Sequence, residues 1–430
     1  MPLTPPRFST LADWLRWQEQ LHPSRIDLGL ERVQRVLVAM QLRTPPFKVL
    51  TVGGTNGKGS CVALLDAILR AQGYRVGAYT SPHILRYNER VSVNGIEASD
   101  AELCAAFARV DAARRDIRLT FFEFGTLAAL DIFRTRGIEV AALEVGMGGR
   151  LDAVNAVDPL GALVVSVALD HMEWLGPDRD SIGYEKAGIY RDARPAICGD
   201  RDPPARLVAS AQTRGAVLEV LGRDFDWQPT ATGWTWRRGR ELIAALPAPA
   251  LPGRIQYDNA ASVIALLRAV HAELAVDESA IRRGLQQAHI VARFERLPGA
   301  IEVIYDIAHN AAAARVLAEE LAAAPVAGRT LAVCGMFRDK DPGGVARALA
   351  ACIDRWFLGG LEGPRGQRAA ELGAKLRTAM PETATGEYAT VADAWRAAQA
   401  VAHPGDRIVV FGSFYTVAAV LRVRGESGTN

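Results

Sequence analysis

Residues 50–60 read Leu50-Thr51-Val52-Gly53-Gly54-Thr55-Asn56-Gly57-Lys58-Gly59-Ser60, and the fold turns on them. An apolar run over 49–52 leads in, and a helical pattern over 61–72 follows. Strand, glycine-rich turn and helix start together make a cradle for phosphate. The glycines let backbone N–H groups approach an anion, the helix N-terminus adds partial positive charge, and Lys58 adds a full one. Ser60 offers a hydroxyl to a magnesium ion that also holds the phosphates. The match to the common phosphate loop is incomplete. Val52 stands where that pattern has its first glycine, and Gly59 separates Lys58 from Ser60. Glycine-rich turns also serve as plain βα connections, but such a turn has no use for a lysine between two glycines.

The 430 residues allow two or three domains, each with its own core. A net charge of +2 gives no electrostatic case for nucleic acid or a membrane surface. The five cysteines, Cys61, Cys104, Cys198, Cys334 and Cys352, form no CxxC pair. That suits a reducing compartment and argues against a zinc or disulfide framework. Residues 1–17 show no signal-peptide core, and the apolar run 160–169 is too short to span a bilayer. The expectation is a cytoplasmic enzyme.

Outward from the cradle, strands alternate with helices. Helices are expected over 9–21, from about 32 to 41, over 100–115, 121–135 and 256–270. Strands are expected over 75–80, 140–143, 163–169 and 195–198, with an Asn-Gly turn closing 87–95 and an antiparallel hairpin over 225–246. This alternation predicts an α/β fold with a mostly parallel sheet covered on both faces. A second βα series starts near Phe294, with strands over 301–305, 330–334, 356–358 and 407–411. The expected domains are 1–292 and 293–430.

Several side chains fall at the carboxyl ends of these strands, where parallel sheets bind ligands. Glu144 ends one apolar run beside Gly146-Met147-Gly148-Gly149 and is placed to hold a nucleotide-bound magnesium, unless it is merely exposed there. His171 is expected to end the next strand; its imidazole would suit manganese as well as magnesium. Lys186 near cationic metals is awkward unless its amine takes up carbon dioxide as an anionic carbamate. The alternative is a surface lysine at a helix start. Asp306 ends a strand of the second domain, where a carboxylate can accept from ribose hydroxyls; an Asp or Asn there can instead cap the next helix. Arg293, between the domains, could meet a phosphate or be an ordinary linker arginine.

The stretches IDLGLERV (26–33), VGGTNGKGS (52–60), TSPHILRYNERV (80–91), TFFEFGT (120–126), EVGMGGRLDAVN (144–155), LDHMEWLGPDRDSIGYEKAGI (169–189), YDNAA (257–261), YDIAHN (305–310) and GMFRDKD (335–341) span nearly the whole chain. Together they resemble the Mur-type ATP-dependent amide ligases, and within them the folate branch, the dihydrofolate synthases/folylpolyglutamate synthases. The resemblance implies an N-terminal P-loop ATPase domain and a smaller C-terminal Rossmann-like domain. It implies that Thr55, Asn56, Gly57, Lys58, Gly59 and Ser60 contact ATP, with Asn259, Arg293 and Asp306 as further nucleotide contacts. Ser81 and Glu144 would hold one magnesium and His171 a second, and Lys186 would be N6-carboxylated. Asp27, Leu28, Gly29 and Leu30, then Thr120, Phe121, Phe122 and Glu123, then Leu151, Asp152 and Ala153 would form the dihydropteroate pocket. Catalysis would rest on Lys58, Glu144, His171 and Lys186. This chain departs from the pattern at Val291-Ala292, where the family often has Pro-Gly before Arg-Phe, and at Ala311-Ala312, where it has Pro-His.

The implied reaction is carboxylate activation: dihydropteroate or a reduced folate is phosphorylated by ATP, then joined to L-glutamate. The implied enzyme is a monomer acting on small molecules. Two other readings stand beside it, a ligase for a nucleotide-linked cell-wall precursor and an ATP-dependent switch protein. TFFEFGT and DLGLERV argue against the first, and the lack of an obvious basic or apolar partner patch against the second.

Overall fold

A computed structural model describes residues 7–24 and 26–425. Part of the N-terminal stretch read for a leader therefore lies outside the described residues. The chain divides into two compact units. One takes the chain up to His83 with Tyr87–Ala250 and Gln256–His289; the other takes Ile84–Arg86, Leu251–Ile255 and the chain from Ile290 onward.

The first unit is built on an eight-stranded sheet. Its strands are β1 (Lys48–Gly53), β2 (Val76–Tyr79), β3 (Val91–Val93), β4 (Ile96–Glu97), β5 (Val140–Glu144), β6 (Gly161–Val164), β7 (Pro195–Cys198) and β8 (Val217–Val220). They run in the order β4-β3-β2-β5-β1-β6-β7-β8. All pairs are parallel except β2–β3 and β3–β4. The inner strands are buried along their length, as continuous apolar runs between two helical layers require. After β1 the chain turns to one side for β2 and β5, then crosses to the other for β6, β7 and β8. The carboxyl ends of β1, β5 and β6 thus flank the reversal, where open α/β sheets place their ligands.

Among the described residues of this unit three capping boxes fix helix starts: Ser99 with Glu102, Thr120 with Glu123, and Asp178 with Ser181. Each is worth about 1 kcal/mol. The expected hairpin over 225–246 is a three-stranded antiparallel sheet, β9 (Phe225–Thr230), β10 (Gly233–Arg238) and β11 (Glu241–Leu246). Trp236 of β10 is fully buried and donates its Nε1–H to the Ala261 carbonyl, so the sheet lies on the Ile255–Ala269 helix.

The expected strand over 163–169 is much shorter, since β6 ends at Val164. The second half of that apolar run bonds elsewhere. Thr55 N–H donates to the Ser166 carbonyl at 2.8 Å and Val167 N–H to Asp200 Oδ2 at 2.8 Å. Hydrophobicity marks the run as buried, but the cradle and Asp200 take its backbone.

The second unit carries β12 (Glu295–Leu297), β13 (Glu302–Tyr305), β14 (Thr330–Cys334), β15 (Arg355–Gly359), β16 (Thr385–Tyr388) and β17 (Arg407–Phe411), in the order β12-β13-β17-β14-β15-β16. Only the β12–β13 pair is antiparallel. Apolar clusters cover both faces of this sheet. Among the described residues no helix is long and apolar enough to cross a membrane.

Candidate active site

The cradle follows β1. Gly54 has φ 144° and Gly57 φ 85°, so both lie where glycine is favoured. A Cβ on Gly57 would also stand 2.8 Å from Val165 Cγ1 and 3.0 Å from Asn259 Oδ1. Asn259, on the Ile255–Ala269 helix, is thereby placed against the turn. Gly57 precedes the Lys58–Gln72 helix, whose N-terminus has no side-chain cap. Its first N–H groups are oriented for an anion. Lys58 Nζ donates to the Gly54 and Thr55 carbonyls at 3.1 and 3.2 Å, which folds its charge back over the turn.

Ser166 holds this loop in shape. Its Oγ accepts from Asn56 N–H at 3.1 Å and donates to the Asn56 carbonyl at 3.0 Å, while Ala168 N–H donates to Thr55 Oγ1 at 3.0 Å. A lone polar residue inside the apolar run 160–169 was the signal that could have marked Ser166.

Glu144 is buried at the end of β5, and Ser81 N–H donates to its Oε2 at 2.9 Å. The structure therefore joins these two sequence candidates. His171 lies seven residues beyond β6 rather than at its end. It precedes the one-turn helix Met172–Leu175 with φ 52°, and its N–H donates to Asp170 Oδ1. Among the described residues no three His, Cys, Asp or Glu side chains form a metal-holding group. The oxygens of Ser81 and Glu144 still suit a hard cation that draws its other ligands from phosphate and water. Ser60 Oγ is buried with no hydrogen-bond partner. An orphaned hydroxyl in the first turn after the cradle fits a bound metal or phosphate oxygen.

Lys186 is not at a helix start or on the surface. It is buried in the last turn of the Arg179–Ala187 helix. Burial, then the charge of Lys58, pushes its amine down to about 7, against the opposing pull of Asp170 and Asp152. Asp152 is pushed up to about 7 by burial, although Met147 N–H and Val154 N–H donate to it at 2.9 and 3.0 Å. Lys58, Asp152, Asp170 and Lys186 thus form one interacting group. Arg150 docks the helix end: its guanidinium pairs with Glu185 at 2.9 Å, and its N–H donates to the Glu185 carbonyl.

Two of the three expected pocket segments are tied together by Arg32, which bonds both Asp27 and Glu123. Leu30 precedes the Glu31–Ala39 helix, with Leu28 and Gly29 partly exposed before it. Phe121 meets Tyr87 edge-on at 5.6 Å. Phe122 covers Gly146 so closely that a Cβ there would stand 2.6 Å from its ring. Leu151 is half-buried, and Ala153 opens a buried single turn, Ala153–Ala156, after Asp152. Segments 120–123 and 151–153 therefore meet the same Gly146-Met147 loop.

Arg293 and Asp306 belong to the second unit. Asp306 is half-buried, accepts from Phe294 N–H at 2.9 Å and Ala308 N–H at 2.7 Å, and is pushed up by desolvation while these donors and Arg293 pull it down. The helix cap in this motif is Asn310, which accepts from Ala313 N–H; Asp306 does not cap. Arg293 lies over the Phe414 ring at 5.5 Å, between Ala292 (φ 58°) and Phe294 (φ 48°).

A glycine-rich anion cradle on a parallel sheet, followed by a second α/β unit, defines a ligase of the Mur type. Residues 292–414 match the family described as Mur ligase, glutamate ligase domain. The dihydrofolate synthase/folylpolyglutamate synthase of Escherichia coli is 45% identical over 98% of this chain and 97% of its own. The solved structure of E. coli FolC in complex with DHPP and ADP superposes with a TM-score of 0.92 at 45% identity, over 98% of this chain and 99% of that one. A bifunctional folylpolyglutamate synthase/dihydrofolate synthase with Mn, AMPPNP and L-glutamate bound gives 0.90 at 43% identity, over 98% and 100%. The chain belongs to the dihydrofolate synthase/folylpolyglutamate synthase family, and its fold is Mur-ligase-like.

Proposed function

We propose that this protein is an ATP-dependent carbon–nitrogen ligase that adds L-glutamate to dihydropteroate and to reduced folates. The observation that carries this reading is the group around Lys186. The charges of Lys58, from the phosphate cradle, and of Asp152, from the expected pterin pocket, both act on one buried lysine. A phosphate donor and a carboxylate acceptor can therefore meet inside one unit.

In the reaction, an oxygen of the substrate carboxylate attacks the γ-phosphorus of ATP. The bond to the β–γ bridging oxygen breaks, and ADP leaves with that electron pair. The amine of glutamate then attacks the acyl carbon, the acyl–oxygen bond breaks, phosphate departs, and the amine's extra proton passes to solvent. Thr55, Asn56, Gly57, Gly59 and Ser60 would seat the phosphates, and Lys58 would offset the charge that builds on the transferring group. Asn259, Arg293 and Asp306 would contact the rest of the nucleotide. Ser81 and Glu144 would hold one divalent ion and His171 a second, whose charge would further neutralise the phosphates. Lys186, with its amine pushed down to about 7, is suited to take up carbon dioxide as a carbamate, because only the neutral amine attacks it. Residues 27–30, 120–123 and 151–153 would hold the pterin end. Five free cysteines support a cytoplasmic setting. We read the partners as small molecules and the enzyme as a monomer.

The test is an acceptor panel with ATP, magnesium and L-glutamate: dihydropteroate, tetrahydrofolate, a nucleotide-linked cell-wall precursor and no acceptor. Phosphate release with dihydropteroate and tetrahydrofolate, each gaining one glutamyl residue by mass, is expected. Release without any acceptor, or with the cell-wall precursor alone, would overturn the reading.

A further inference from the structure

Arg32 lies in the first turn of the Glu31–Ala39 helix. Its Nη1 donates to Asp27 Oδ2 at 2.8 Å and its Nη2 to the Asp27 carbonyl at 2.7 Å. Its Nη2 and Nε also donate to Glu123 Oε1 at 3.0 and 3.2 Å, across 91 residues of chain. Glu123 Oε2 in turn accepts from Thr120 N–H at 2.7 Å, and Glu123 N–H donates to Thr120 Oγ1. One guanidinium thus fixes a loop carboxylate, a main-chain carbonyl and the carboxylate that sets the start of the Phe121–Thr135 helix.

The burial of these groups is uneven, and that gives the arrangement its force. The Glu123 side chain is 4% exposed, that of Arg32 26% and that of Asp27 42%. A carboxylate so far from water needs a cation with matched geometry. The planar fork of arginine places Nε and Nη2 on Glu123 while Nη1 reaches Asp27, a geometry that the single nitrogen of a lysine does not reproduce. Asp27 has a second anchor, since His22 Nε2 lies 3.3 Å from its Oδ2.

We propose that Arg32 is a positioning residue for the acceptor pocket. It holds the 27–30 loop and the 120–123 turn at one spacing, and so sets affinity for the pterin end of the substrate without touching the reacting atoms. The inference rests on the assignment of these two segments to dihydropteroate.

Steady-state kinetics of the full-length Arg32→Ala, Arg32→Lys and Glu123→Gln variants tests it, with KM measured separately for dihydropteroate and for ATP. In R32A the KM for dihydropteroate rises about tenfold or more, while the KM for ATP moves less than about twofold. R32K recovers part of the loss, because it restores charge but not the fork. E123Q, which keeps the shape of the helix cap, raises the dihydropteroate KM in the same direction. Should R32A fail to fold, the R32K/E123Q double variant raises it no further than the larger single change, because both break one ion pair. Additive rises would mark a direct contact of Glu123 with substrate and overturn the positioning role. Unchanged KM values in R32A and E123Q, with a wild-type enzyme active on dihydropteroate, would overturn the role of Arg32 alone. So would an equal rise in both KM values that tracks a fall in melting temperature. A wild type inactive on dihydropteroate would remove the substrate assignment and this inference with it.

Discussion

Lys58 and Lys186 set two amines against two carboxylates, Asp152 and Asp170, and burial changes what each can do. Lys58 lies on the cradle with its Nζ over two carbonyls. Lys58→Ala is expected to lower the rate of product formation by at least about 10²–10³, the cost of losing one preorganised electrostatic contact. Its melting temperature should stay near the wild-type value; near-normal turnover would contradict the cradle assignment. Lys186 is pushed from its ordinary 10.5 down to about 7. The unfolded chain therefore holds this proton more tightly between about pH 7 and 10.5, and the stability contributed by this group rises with pH across that interval. The reactive neutral amine likewise grows as pH rises through about 7. In buffer stripped of carbon dioxide, activity should fall and return on adding bicarbonate, with faster return above pH 7 than below it. Rates indifferent to bicarbonate at every pH would contradict carbamate formation. The sequence offered Lys186 as a candidate but could not fix its burial, because that depends on how the Arg179–Ala187 helix docks on Arg150. Arg32 went unassigned for the same reason: its partner Glu123 is remote in sequence.

At the scale of elements, the cradle was legible because glycines and a lysine in that order have few other uses. Gly57 has φ 85° with Val165 and Asn259 at its back. Gly57→Ala is expected to cost about 2–5 kcal/mol, combining left-handed strain of ~1–2 kcal/mol with overpacking of ~1–3 kcal/mol. Chemical denaturation reads this directly. The strand expected over 163–169 was misjudged because apolar patterning reports burial, not bonding partner. Ser166 and Val167 give their backbone to Thr55 and Asp200 rather than to a neighbouring strand. The short strands β8 and β12 were missed, since three or four residues carry too little alternation to be read. The junction before the second unit holds a departure with a physical consequence. Ala292 is buried at φ 58°, a conformation glycine adopts without penalty. Ala292→Gly should change stability by less than about 1 kcal/mol, relief of strain offsetting a lost methyl and added chain entropy. Ala292→Val should cost about 2 kcal/mol or more, because a β-branched side chain tolerates this region poorly. Equal effects of the two substitutions would contradict the left-handed assignment.

Across the whole molecule, alternating strands and helices gave away both α/β units, because a parallel sheet needs a crossover helix for nearly every strand. The order of strands was not readable, since it depends on which side each crossover takes. A nucleotide bound at the cradle should raise the stability of the unit that holds it. At a hundredfold excess over Kd the gain is about 2.7 kcal/mol, and Lys58→Ala should lose most of it. A thermal shift with ADP that is equal in wild type and variant would count against that site. The account as a whole stands on carboxylate activation at the cradle, and transfer of heavy oxygen tests it most directly. Dihydropteroate labelled with oxygen-18 in its carboxylate is turned over with ATP and L-glutamate, and the released phosphate is weighed. The account predicts one labelled oxygen in the phosphate for each amide formed, because the carboxylate oxygen that attacks phosphorus leaves with it. Amide formation that leaves the phosphate unlabelled would contradict the mechanism.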